Sequence, residues 1–427
     1  MKWLHIALIW FIYLPIVGLT YLIVWLDRKL QFKLPFPRHL QQLAEQKDWL
    51  VQRLKENKIL PAEAVVTGYN VKPLNQDLIF RSNAGFIELT YTHNNTEHYL
   101  KCFAKFAPIA GTVWNRTIFN LQLNHTKESD FNKLFVAENP TIPSPKVYYS
   151  AVSPLTGNLC LITEFMQDCV EHKDSIYEDF TEEHLTQAIK GLATLHALHW
   201  KDTSEKMKKI MRIEDSTLLL FDSIMSFSWS NHTRKVMFQS WKYTNDFQTL
   251  LHGDARIGNM MFANGSKGRF VFFDWQAVRK GRAVYDLAYF LILSLNNEHR
   301  QKAEQVCLQQ YYEFLLQAGV TDYSFAELEI DYKHATICLL ALLSLPLLSG
   351  EASAEGDGVI IFAWGMNVWR KRLAAKFNDF DYQWMSVNYN LSEADCKKAI
   401  NEMLGTIQNR LLKLSGTTDL EAYNPVY

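Results

Sequence analysis

Two carboxylates and one amide have the types and spacing that suit a divalent cation and a proton. Asp254 lies in His252-Gly253-Asp254, directly after the apolar pair Leu250-Leu251, and Asn259 follows five positions later. Fifteen residues beyond Asn259 the apolar run Phe270–Phe273 delivers Asp274. A hard cation such as Mg2+ takes oxygen ligands, which the Asp274 carboxylate and the Asn259 amide can supply. Asp254 is then left to accept or orient the proton of an attacking hydroxyl. Phosphoryl transfer from ATP to an alcohol asks for this set, because the protein contributes positioning and charge neutralisation rather than covalent chemistry. A turn followed by a helix cap would explain His-Gly-Asp alone. It does not explain the amide and the strand-borne carboxylate at these distances.

The elements around these residues are legible from periodicity. His39 to Lys58 reads as an amphipathic helix, with Leu40, Leu43, Leu50 and Leu54 at helical spacing, after the Pro-punctuated hinge Leu34-Pro35-Phe36-Pro37. Strands are expected at Asp77–Phe80, Gly85–Thr92 and His98–Phe106, the last two joined by a turn at Asn94-Asn95. One long helix carrying Phe119, Leu123, Phe131, Leu134 and Phe135 should follow. Lys146–Val152 and Asn158–Phe165 then read as two more strands around Thr156-Gly157. From about Asp168 the pattern turns helical, most clearly at Glu182–Trp200 with its stripe Leu185, Ile189, Leu192 and Leu195. The expected organisation is an anchor and basic flank over 1–33, a linker and helix over 34–60, a small β-rich lobe over 61–167, and a larger helical lobe over 168–427.

The anchor expectation rests on Leu4 to Leu26, an almost unbroken apolar run. About 20 residues span a bilayer core as a helix. The run is longer than a signal-peptide core and lacks a small-residue cleavage site. Lys2 alone precedes it, whereas Arg28, Lys29, Lys33 and Arg38 follow, so the positive-inside rule predicts a single-pass membrane protein with a cytoplasmic catalytic domain. Sequons at Asn94, Asn115, Asn124, Asn231, Asn264 and Asn390 pull toward a lumenal location, but an Asn-rich chain yields several by chance. The formal net charge of −1 argues against a nucleic-acid partner. The six cysteines form no CxxC pair, which argues against zinc and reads as free thiols.

The stretch HGDARIGNMMF…VFFDWQAVRKGRAVYDLAYFL resembles the aminoglycoside phosphotransferase and choline kinase superfamily, closest to its ecdysteroid-kinase-like group. The Asp-to-Asn spacing is that of the kinase catalytic loop, and Asp286-Leu287-Ala288-Tyr289 matches the D-L-A-Y of the family. The resemblance extends over roughly 49–420. It implies an α+β, two-lobed protein-kinase-like fold, with ATP and Mg2+ as cofactors. By this resemblance Asp254 is the catalytic acid–base residue, and Asn259 and Asp274 hold the metal. A nucleotide lysine should lie on the strand His98–Phe106, where Lys105 in Ala104-Lys105-Phe106-Ala107-Pro108 fits the family pattern better than Lys101. Glu128, in Glu-x-x-Phe, would be its ion-pair partner. Asn83-Ala84-Gly85-Phe86 resembles the phosphate-covering turn, with a single glycine at Gly85, and Glu164 would open the hinge that contacts adenine. His196, His252 and Asp286 are expected to support the loop rather than react.

The acceptor is expected to be a small-molecule alcohol. Trp229, Trp241, Tyr243, Trp364, Trp369 and Trp384, together with the anchor, favour a hydrophobic one such as a steroid or lipid, against the plain alternative that these rings are core. A polar acceptor of the aminoglycoside or choline type is the alternative, and Glu351, Glu355 and Asp357 form only a modest acidic cluster for it. A kinase fold acting as a catalytically inactive binding module is the third reading. Lys105, Asp254, Asn259 and Asp274 are all present, which argues against that. The missing Gly-rich loop and A-P-E segment argue against a protein kinase.

Overall fold

The computed structural model describes residues 11–12, 14–74, 83–107, 113–167, 169–171, 181–210, 229–246, 249–264, 268–345 and 357–415. They form two compact units, one within residues 14–167 and the other within 169–415.

The first unit is built on a five-stranded antiparallel sheet of order β1-β2-β3-β5-β4. Its strands are β1 (Val65–Pro73), β2 (Asn83–His93), β3 (Thr96–Phe106), β4 (Val147–Ser153) and β5 (Asn158–Glu164). Alternation assigns its two faces. Ile87, Leu89, Cys102, Ala104, Phe106, Cys160 and Ile162 point one way and are buried against Leu43, Leu50 and Leu54. Those leucines come from α2 (Leu40–Glu45) and α3 (Lys47–Glu56). Each fully buried leucine contributes about 1.5–3 kcal/mol, so the two short helices are held by this face rather than by their own propensity. The single helix expected over His39–Lys58 is interrupted at Gln46, whose φ of −111° and ψ of 48° leave the helical region. The expected strand Asp77–Phe80 lies outside the described residues. β1, which the sequence reading missed, forms the sheet edge.

The long helix expected after β3 is divided. Residues α4 (Val113–Leu121) and α5 (Asn124–Phe131) are separated by Leu123 in the left-handed region at φ 56°, and a π-helical turn, Asn132–Val136, follows. Ahead of them all runs α1 (Leu14–Leu30), packed on α4. The first part of the Leu4–Leu26 run lies outside the described residues. Among those described, no helix is long and apolar enough to cross a membrane. The end of α1 is instead joined to the unit: Val24 and Asp27 are fully buried. Arg38 donates to Asp27 Oδ2 at 2.5 Å, and Asn158 Nδ2 donates to the same oxygen at 3.0 Å.

The second unit is mostly helical. Its longer helices are α6 (Glu182–Leu198), α7 (Asn231–Asp246), α8 (Val284–Ser294), α9 (Asn297–Gln317), α10 (Phe325–Ser344), α11 (Asp357–Asn378), α12 (Tyr382–Tyr389) and α13 (Glu393–Ser415). Thr181 caps α6 by accepting from His184 N at 3.2 Å, and the stripe Leu185, Ile189, Leu192 and Leu195 is buried as its spacing requires. α8 is buried on every side, which its continuous apolar sequence allows. Two small antiparallel sheets lie among the helices. One pairs β7 (Thr249–Leu251) with β10 (Arg279–Gly281), and the other runs β6 (Cys169–Glu171), β8 (Met260–Ala263), β9 (Val271–Phe272). An antiparallel sheet with a helical remainder is the α+β kinase-like arrangement expected from the sequence.

Gly85 pairs with Pro73 on one side and Ala104 on the other. A Cβ there would lie 2.3 Å from Lys72 O and 2.9 Å from Leu40 Cδ1. Gly85→Ala is therefore expected to cost about 1–3 kcal/mol by overpacking. Gly68→Ala, whose nearest neighbours are Thr90 side-chain atoms at 3.1 Å, should cost less. Thermal unfolding of the two variants side by side checks the order.

Candidate active site

The loop after β7 is held by one buried carboxylate. Asp286, in the first turn of α8, accepts from His252 N at 2.6 Å and from Gly253 N at 3.0 Å. His196, near the end of α6, lies 3.3 Å from the same carboxylate through Nε2, with Tyr311 OH 2.7 Å from its Nδ1. Burial would raise the Asp286 pKa, but the His196 hydrogen bond and the adjoining His252 and Gly253 contacts outweigh it and hold it below the usual carboxylate value. Gly253 can take part because it sits at φ +83°, where L side chains are strained, and a Cβ would lie 2.1 Å from Ala277 O.

His252 is buried, which lowers its pKa and keeps the ring neutral. Its hydrogen bonds assign the tautomer: Asp254 N donates to Nδ1 at 3.3 Å, so Nε2 carries the proton and donates to Phe273 O at 3.0 Å. Phe273 N in turn donates to Asn259 O at 3.0 Å. The residue before Asp274 is thus fixed from both ends of the 252–259 loop. Asp274 itself adopts φ 64°, ψ 60°. That is uncommon for a non-glycine residue, and backbone strain of this kind concentrates at functional sites. Gln276 Nε2 donates to Asp274 Oδ2 at 3.2 Å.

Asn259 is buried and uses its Nδ2 twice, on Asp254 O and on Asp254 Oδ2, each at 2.9 Å. Its amide oxygen is thereby turned away from Asp254. Together with the Asp274 carboxylate it offers the hard oxygen donors that Mg2+ prefers, so the residues present fit that ion. Asp254 is pushed up to about 7, first by burial and then by the neighbouring Asp274 charge, against the lowering effect of hydrogen bonds from Tyr289 and Asn259. Arg256 Nε lies 3.4 Å from the same carboxylate, and the guanidinium stands 6.0 Å from the Trp369 ring centre. Tyr289 and Arg256 escaped the sequence reading. Tyr289 was detectable, because it stands three residues after Asp286 on one helix face.

In the first unit Lys105 Nζ binds both oxygens of Glu128, at 2.9 and 3.0 Å, and Glu128 is almost fully buried in α5. Lys101 is engaged elsewhere, 3.9 Å from the Phe165 ring centre and 4.8 Å from that of Phe86. Gly85 does not lie in a turn. It is inside β2, and the preceding residues 75–82 are outside the described ones. Its lack of a side chain is required by the close Lys72 backbone. Glu164 ends β5, and its Oε1 accepts from Lys146 N at 2.5 Å, an interaction that closes the β4–β5 register.

Residues 159–320 match the model of the ecdysteroid kinase-like family, a span that contains the whole 252–289 constellation. The match covers less than half of the chain. No curated protein matches the sequence. Among solved structures, a choline kinase from Streptococcus pneumoniae is 14% identical, aligned over 76% of this chain and 98% of its own, with a TM-score of 0.43. An ethanolamine kinase from Plasmodium vivax is 13% identical over 72% and 81%, with a TM-score of 0.42. An aminoglycoside phosphotransferase from Streptomyces rimosus, solved with ADP and streptomycin, is 13% identical over 63% and 92%, with a TM-score of 0.37.

Two outcomes follow for the ecdysteroid kinase-like segment. Gly253→Ala should lose turnover, because the loop cannot keep both its φ and its approach to Ala277. Asp254 carries the second. A carboxyl raised from 3.8 to about 7 on folding contributes stability below pH 3.8 that is lost as pH rises through 7. The thermal midpoint of metal-free protein should therefore fall between about pH 4 and 7, and Asp254→Asn should flatten that part of the profile.

Proposed function

We propose that the protein transfers the γ-phosphate of ATP, with Mg2+, to a hydroxyl group of a small hydrophobic alcohol. The observation that carries this reading is the Asn259 amide, which donates to the Asp254 carboxylate at 2.9 Å and whose oxygen, like the Asp274 carboxylate, is a hard donor of the kind Mg2+ takes. Asp254 would accept the hydroxyl proton as the new P–O bond forms. A carboxylate whose pKa is near 7 is suited to that, being ionised in a useful fraction yet basic enough to take a proton. Bound Mg2+ would neutralise phosphate charge at Asn259 and Asp274. Lys105, oriented by Glu128, would serve the α/β-phosphates.

The hydrophobic acceptor is supported by Trp369, the aromatic that stands beside Arg256 and so near Asp254. Several of the other rings are accounted for by packing: Trp229 and Trp241 are buried, and Tyr243 OH donates to Asp331 at 2.7 Å. A polar acceptor of the choline or aminoglycoside type is the competing reading.

Thermal shift with ATP, with Mg2+ and with both tests the nucleotide part. Ligand at about 100 times its dissociation constant stabilises by roughly 2.7 kcal/mol. The shift should need both components and vanish in Asp274→Asn. Asp254→Asn should keep the shift yet lose phosphoryl transfer to any alcohol that turns over, by about 10²–10⁴-fold for a removed acid–base group. Near-full turnover in Asp254→Asn would sink the role given to that residue.

A further inference from the structure

Lys101 and Lys105 lie on one strand and one face of the first unit's sheet, yet they are held differently. Lys105 is bound to Glu128. Lys101 stands opposite Glu88 in the β2–β3 register, but that carboxylate is engaged by Lys72 at 2.8 Å and by Asn70 at 3.4 Å. Among the described residues Lys101 Nζ has no hydrogen-bond acceptor and no carboxylate within ion-pair distance. Its contacts are aromatic: Nζ lies 3.9 Å from the Phe165 ring centre and 4.8 Å from that of Phe86. Phe86 meets Phe165 edge to face at 5.2 Å and Phe103 at 6.1 Å. These three rings are half-buried, and Phe86 and Phe103 alternate with the residues packed on α2 and α3. The sheet therefore presents an aromatic platform with a cation at its edge, and the three N–H donors of that cation are unused.

Four residues of extended strand separate the two lysines by about 13 Å. That is comparable with the span from the phosphates of a nucleoside triphosphate to the far edge of its base. β3 ends one residue after Lys105, so with the phosphates at Lys105 only the side toward Phe103 and Lys101 offers the base a surface along the strand. Stacking on aromatic rings accepts every base alike, because each has a π-face. The choice falls to the edge. Guanine presents O6 and N7 as adjacent acceptors, a pair that lysine takes, whereas adenine sets an amino donor beside its N7. An ammonium has nothing to accept from that amino group. We propose that Lys101 reads the 6-oxo edge of a purine, so that the site takes GTP alongside ATP as phosphoryl donor. The inference rests on the phosphotransferase reading, in which Lys105 serves the phosphates. The chemistry is the same for either donor: the γ-phosphoryl group moves to the hydroxyl oxygen, the nucleoside diphosphate leaves with the electron pair of the broken P–O bond, and the hydroxyl proton passes to Asp254.

The test uses the full chain in neutral detergent with Mg2+, titrated separately with ATP, GTP and ITP and read by thermal shift. ITP shares the 6-oxo group and N7 of GTP but lacks its 2-amino group. GTP and ITP should each bind within about threefold of ATP, or more tightly. Lys101→Met keeps an apolar stem on Phe165 and removes the charge. It should weaken GTP and ITP by about tenfold, the lower part of what one such base-edge contact supplies, and ATP by less than about threefold. Lys101→Arg should keep the wild-type order, because a guanidinium takes the same O6 and N7 pair. Equal losses for all three nucleotides in Lys101→Met would make the lysine a general attractor of phosphate and overturn the base reading. GTP binding without ITP would move the selection to the 2-amino group and overturn it as well. A shift with ATP but with neither GTP nor ITP would overturn the inference and leave the kinase reading standing. No shift with any of the three, in folded protein, would overturn both.

Discussion

The pairing of the Asp286 carboxylate with two backbone N–H groups of the His252–Gly253 turn is the interaction on which the active loop depends. A carboxylate with no solvent contact is costly unless donors surround it. Here His252 N, Gly253 N and His196 do so, and their sum reverses the effect of burial. The consequence reaches Asp254, which stands next in the chain and has the opposite electrostatic fate. Burial first, and Asp274 as a neighbour second, push it up to about 7. Two aspartates 32 residues apart therefore divide the labour: one remains ionised and holds the backbone, the other sits where it can exchange a proton. Environments that drive a pair of carboxyls apart are the usual mark of an acid–base site.

The candidate site was legible because much of it is local. His252 to Asn259 is one loop, and the spacing alone brings the Asn259 amide back onto Asp254. Asp274 was legible because an apolar run must end somewhere, and a carboxylate at that end is conspicuous. The lysine was not legible on physical grounds. Lys101 and Lys105 are four apart on one strand, so period-two alternation puts both on the same face of the sheet. Only the position of Glu128 on α5, fixed by tertiary packing, separates them. The resemblance to a known pattern supplied what periodicity could not.

Elsewhere the misreadings have definite causes. β1 was missed because it is an edge strand, exposed along most of its length, broken by an irregular register between Val66 and Gly68 and closed by Pro73. Such a strand need not alternate cleanly. The break at Gln46 and the left-handed Leu123 leave little trace in hydropathy, since the apolar residues on either side still recur at helical spacing. Gly85 was placed in a phosphate-covering turn by resemblance to the family. Its neighbours show the other use of glycine, the close approach of a backbone.

The N-terminal segment shows how far an apolar run can be read. Hydropathy treats Leu4–Leu26 as one object and the charges after it as a flank. In the structure Asp27, the residue directly after that run, is fully buried, and Arg38 and Asn158 converge on one of its oxygens. A buried ion pair is weak evidence for stability but strong for geometry, since losing either partner strands a charge. This pair fixes the direction in which α1 leaves the domain. Whatever α1 rests against, the Asp27 pair makes its orientation relative to the β-sheet a property of the fold rather than of a flexible tether.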